Sequence, residues 1–158
     1  MKKLSLLFLL LILTGCATTQ TGKTAKTAKS GATLRVRTTA YTHTECGGCN
    51  NAVGCRLRCD SINSASADWS RYPLGTRFQI LDTGEVFQID DYGGALVGTN
   101  TIDLYKNTRL KMRQWGVRYV DIRILEWGSR QKSLAVLKPR AHVQRVRRMI
   151  DSLGDSES

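Results

Sequence analysis

The chain has 158 residues and a formal net charge of +11, with 41% of its residues apolar and five cysteines. Set against the usual size of a folding unit, that length holds one small domain and excludes two. The positive charge is unevenly spread: Lys2 and Lys3 stand at the extreme start, three lysines fall between Ala17 and Ala32, and the tail beyond Trp127 is strongly basic, so the middle is close to balanced. A basic chain points to anionic partners such as phospholipid headgroups and wall polymers.

Met1 to Cys16 reads MKKLSLLFLLLILTGC. Lysines ahead of an unbroken apolar run too short to span a bilayer comfortably predict an export signal over residues 1–15. Export in turn sets nucleic acid aside as a partner, despite the high isoelectric point. The ending Leu13-Thr14-Gly15-Cys16 resembles the lipobox of bacterial lipoproteins, which implies acylation of Cys16 and a firm membrane anchor. Ala17 after that cysteine favours the outer membrane, facing the periplasm, in a Gram-negative cell. Residues 16–32, rich in Thr, Lys, Ala and Gly without apolar period, are expected to be a flexible tether.

The folded part is expected over residues 33–128. Thr33 to Thr42 alternates apolar and wet positions as TLRVRTTAYT, a half-buried strand. The loop that follows carries Cys46, Cys49, Cys55 and Cys59 in ECGGCNNAVGCRLRCD. An even number of cysteines in an exported chain argues for two disulfides whose pairing the spacing leaves open. Four sulfurs at this spacing also suit a zinc site, which the oxidising compartment makes the lesser alternative. Ser61 to Ala67 is small and polar. Pro73 and Gly75 mark a turn into a strand over Thr76–Asp82, and Asp82-Thr83-Gly84-Glu85 makes a hairpin into the next strand, EVFQIDD at Glu85–Asp91.

Asp90 to Tyr105, DDYGGALVGTNTIDLY, sets acids at both ends of a glycine-rich turn between two strand-like flanks. A carboxylate where a strand enters such a turn belongs at a mouth, where rigid sheets carry their sites. Leu110, Met112 and Trp115 alternate with basic residues ahead of Gly116, predicting a short helix. Val117 to Trp127 alternates cleanly as a strand, with Val120, Ile122 and Ile124 on one parity. Residues 129–158 change to helical spacing, broken once at Pro139, and form a basic helical tail expected to dock on its own domain. Short strands joined by tight turns indicate a mainly β protein, a small barrel or sandwich.

Several of these pieces, in this order, resemble the 3D domains, named for three aspartates and found in wall-acting proteins such as the membrane-bound lytic transglycosylase A family. The matching stretches are TAYT at Thr39–Thr42, SADWSRYPLGT at Ser66–Thr76, DYGGALVG at Asp91–Gly98 and IDLY at Ile102–Tyr105. The resemblance covers Val36 to Leu125 and implies a six-stranded double-psi β-barrel, with a short helix and the helical tail added here. It places the three aspartates on Asp68, Asp91 and Asp103, near one groove. A lysine common in the second motif is Val97 here, one extra residue lies in GTNT, and the cysteine loop is an insertion.

The activity implied is that of a lytic transglycosylase, which cuts the bond between N-acetylmuramic acid and N-acetylglucosamine by closing the sugar's C6 hydroxyl onto C1. Such chemistry needs no cofactor, and the partner is the glycan strand of peptidoglycan. One acid must protonate the leaving oxygen and then take up the hydroxyl proton, so its pKa must lie above that of a free aspartate. Asp91 is expected in that role, with Asp103 and Asp68 tuning it and holding the loops. Gly93 and Gly94 leave room for the glycan, and Tyr41 leads Tyr92, Trp69 and Trp115 as an aromatic face for sugar. The alternative is a non-catalytic peptidoglycan-binding lipoprotein of the same fold.

Overall fold

The computed structural model describes residues 31–45 and 48–154. The export signal, Cys16, most of the tether and Cys46 therefore lie outside the described residues. Six strands, β1 (Thr33–Tyr41), β2 (Asn63–Ser66), β3 (Arg77–Ile80), β4 (Val86–Asp91), β5 (Thr101–Tyr105) and β6 (Arg118–Glu126), close into a barrel in the order β1-β5-β2-β4-β3-β6. Two neighbouring pairs, β1 with β5 and β2 with β4, run parallel, and the remaining pairs are antiparallel.

Alternation puts one parity of each long strand into the barrel. Val120, Ile122 and Ile124 of β6 are buried, and so are Phe87 and Ile89 of β4, while Tyr119 and Arg123 face out. Phe78 and Phe87 sit opposite each other across β3 and β4 and stack with ring centroids 5.6 Å apart. Branched and aromatic side chains suit such a half-buried, pleated surface.

The strand β2 has no counterpart in the reading of Ser61–Ala67 as small and polar. All four of its residues are buried, because it lies between β4 and β5 with no wet face to show. Small side chains fill such a place, and their hydroxyls are answered locally: Ser64 Oγ donates to Asp90 Oδ2 at 2.7 Å and accepts from the Arg58 N–H at 2.9 Å.

The turn from Pro73 to Thr76 is a junction for three segments. Gly75 takes a φ of +93°, a conformation open to glycine. Gly128 packs so closely on this turn that a Cβ there would lie 2.2 Å from the Pro73 carbonyl oxygen. Immediately beyond, Ser129 caps helix α2 (Arg130–Leu137) by accepting from the Lys132 N–H at 3.1 Å. A single 3-10 turn follows at Lys138–Arg140, where Pro139 breaks the helical run, and α3 spans Gln144–Gly154. The short helix α1 (Arg109–Trp115) is capped by Thr108.

The tail does dock on its own domain. Leu137, Val146, Met149 and Leu153 are buried and join the same core as the barrel residues. Arg145, Arg147 and Arg148 take the exposed side of α3. Among the described residues, no helix is long and apolar enough to cross a membrane.

Candidate functional site

A groove of about 540 Å³ opens at one end of the barrel, lined among others by Tyr41, Thr42, Ser66, Asp91, Tyr92, Gly93, Gly94 and Asp103. That volume is within the roughly 300–1,000 Å³ usual for ligand sites. Register explains why two acids remote in sequence meet there. Asp91 of β4 pairs with Ser66 of β2, Ser66 pairs with Asp103 of β5, and Asp103 pairs with Thr39 of β1. One rung thus crosses four strands, with the Cα atoms of Asp91 and Asp103 two strand spacings, roughly 10 Å, apart.

Alternation is interrupted where the first acid sits. Ala65 pairs with Ile89 but Ser66 pairs with Asp91, so Asp90 is the extra residue of a bulge. Bulges re-aim side chains beside sites. Asp91 opens on the groove, whereas Asp90 is buried, held at Oδ2 by the Ser64 hydroxyl at 2.7 Å and by Arg58 at 3.4 Å.

Asp91 Oδ1 accepts two backbone N–H groups, from Tyr92 at 2.9 Å and from Ala52 at 3.0 Å. Burial pushes this carboxyl up to about 6; the Tyr92 and Ala52 N–H groups pull against that, Asp90 adds to the rise and Arg140 opposes it. Asp103 is also raised by burial, against the pull of the Thr39 hydroxyl, which donates to Oδ1 at 2.6 Å. Glu45 adds to that rise and Arg37 opposes it.

Tyr41 stands among these acids. Burial first, and then the charges of Asp91, Asp90 and Asp103, raise its phenol well above the ordinary value, so it stays a donor. Its hydroxyl and that of Thr42 are buried without a hydrogen-bond partner among the described residues. Leaving a buried hydroxyl unmatched costs about 1–3 kcal/mol, so both are suited to meet a polar ligand or water in the groove.

Gly93 and Gly94 line the groove for reasons of space. A Cβ at Gly93 would come within 3.1 Å of Leu96, and one at Gly94 within 3.0 Å of the Arg145 side chain. Asp68, in contrast, is not in this groove. It is buried, with Oδ2 accepting the Gly98 N–H at 2.7 Å and Oδ1 accepting the Ser70 N–H at 2.9 Å and the Ser70 hydroxyl at 2.7 Å. That carboxylate ties the end of the glycine-rich loop to the turn after β2. Val97 lies with Asp68 along a separate depression and packs against the core.

Of the aromatic candidates, Tyr41 and Tyr92 reach the groove, while Trp69 and Trp115 are core. Trp69 instead holds the site from behind, its indole N–H donating to the Asp91 carbonyl at 2.8 Å. Ser66, Thr42, Ala52 and Arg140 were not singled out by sequence. The first two stand in the TAYT and SADW stretches; the other two act through backbone or long-range contacts that no spacing encodes.

The cysteine loop forms a wall of the groove through Glu45, Gly48, Asn50 and Leu57. It is shaped by the Asn50–Arg56 bridge and by N–H bonds from Leu57 to Cys49 and from Asn51 to Cys55, at 2.9 and 2.8 Å. Cys49, Cys55 and Cys59 are exposed free thiols here, and Cys46 falls outside the described residues. Among the described residues, no three His, Cys, Asp or Glu side chains gather as metal ligands.

Comparison with family models and with curated proteins returned no match.

Proposed function

We propose that this chain is a lipid-anchored protein of the bacterial cell envelope that cuts peptidoglycan glycan strands as a lytic transglycosylase of the 3D type. The carrying observation is that Asp91 and Asp103, brought from separate strands, line one groove with Tyr41. The closed barrel with its two parallel strand pairs supports the double-psi topology that the sequence resemblance implies.

In this reading the neutral Asp91 acid donates its proton to the oxygen between N-acetylmuramic acid and N-acetylglucosamine as the C1–O bond breaks. The resulting carboxylate takes the proton of the C6 hydroxyl while that oxygen bonds to C1. Substrate gains and loses no water, and Asp91 ends as it began. A pKa near 6 keeps a useful fraction in the acid form around neutrality. Asp103 keeps the groove acidic, and the Tyr41 and Thr42 hydroxyls bind sugar hydroxyls. Asp68 serves the reaction at one remove, by holding the Gly98 loop.

Digestion of purified sacculi followed by mass spectrometry of the soluble products tests this. Products ending in 1,6-anhydro-N-acetylmuramic acid support the reading, and reducing ends replace it with hydrolysis. The exposed arginines of α3 and the apolar Val97 in the family's lysine position favour a second reading, a wall-binding lipoprotein without turnover. Co-sedimentation with sacculi and no soluble product would establish that one instead.

A further inference from the structure

Asp91 is held by two N–H donors, those of Ala52 and Tyr92. Both residues are in turn held by one side chain from outside the barrel motifs. Arg140 Nη2 donates to the Ala52 carbonyl oxygen at 2.8 Å, and Nη1 donates to the Tyr92 hydroxyl at 3.3 Å. The guanidinium also lies 5.8 Å from the Tyr92 ring centroid. A planar fork can serve two acceptors at once in a way that an ammonium cannot.

We infer that Arg140 is a positioning residue for Asp91: the 3-10 turn of the tail clamps the cysteine loop and the glycine-rich turn together, and so fixes both donors on one carboxyl oxygen. This goes beyond the family motifs, since neither the cysteine loop nor the tail belongs to them. It rests on the proposed function only in treating Asp91 as the working acid. The charged and titratable groups around that acid are Asp90 on its own strand with its partner Arg58, Tyr92 in the glycine-rich turn, Tyr41 from β1, Asp103 from β5, Glu45 from the cysteine loop, Arg140 from the 3-10 turn of the tail and Arg145 from α3, whose side chain packs against Gly94. Of these cations Arg140 is the one that opposes the rise at Asp91, and its loss would remove that charge and loosen both N–H donors. The two effects have the same sign, since each favours the neutral acid.

The test is a carbon-13 NMR titration of the Asp91 carboxyl in the full chain and in Arg140→Gln. A midpoint moved to higher pH by about one unit, with a changed Ala52 amide resonance, is expected. A folded Arg140→Gln that titrates Asp91 as the wild type does would overturn the inference. Should that variant not fold, Arg140→Lys decides: a midpoint moved upward supports the clamp, since charge is kept and only the fork is lost, and a wild-type midpoint overturns it. Digestion of sacculi across pH is run beside it. If the wild type releases nothing, the enzymatic reading fails, while the titration still decides the role of Arg140.

Discussion

At the scale of single residues, the proposed role of Asp91 sets stability against use. Its folded pKa of about 6 stands above the usual carboxyl value of 3.8, so the stability it contributes is full below that value and is lost as the pH rises through about 6. Asp91→Asn keeps an oxygen for the Ala52 and Tyr92 N–H groups and removes the buried charge. It is therefore expected to stabilise the domain by about 1–2 kcal/mol at pH 7.5, allowing for partial exposure, and by nothing at pH 3.5. Urea unfolding at the two pH values measures this. Asp68 makes the opposite case. Asp68→Ala removes the buried carboxylate that accepts the Gly98 and Ser70 N–H groups and is expected to cost about 1–3 kcal/mol. Because it touches no reacting atom, it is expected to lower turnover while leaving the pH of the alkaline limb in place.

At the scale of elements, strands with one dry face were legible and the strand with none was not. The alternation of Val120, Ile122 and Ile124 announces β6, and Pro139 announces the break between α2 and α3. By contrast, Asn63–Ser66 is a strand only because its neighbours bury it on both faces. The bulge at Asp90 was equally silent, since it comes from the pairing of β4 with β2 rather than from either sequence. The site was half legible for the same reason. Glycine and acid at Asp91–Gly94 point to a mouth, but local spacing cannot tell that Asp68 turns to Gly98 or that Arg140 reaches Ala52, 88 residues away. Close approach at Gly128 gives this scale its own prediction. Gly128→Ala drives a methyl into the Pro73–Thr76 turn and is expected to cost at least about 3 kcal/mol, read from the shift in the urea midpoint.

For the whole molecule, the barrel and the tail share one hydrophobic core. Leu137, Val146, Met149 and Leu153 are each almost wholly buried. Together they contribute about 6–12 kcal/mol of burial, comparable with the total stability of a small domain. A chain stopped at Gly128 is expected to lose cooperative unfolding altogether, as followed by circular dichroism on heating. The same packing brings Arg140 to the groove, so the tail supports both the fold and the acid. The most direct test of the central claim is the release of anhydromuropeptides from sacculi, measured from pH 4 to 9 for the wild type and Asp91→Asn. The wild type is expected to fall off on an alkaline limb with an apparent pKa near 6, and the variant to be at least about 100-fold slower at every pH. Release by Asp91→Asn at the wild-type rate, with the same limb, would contradict the account.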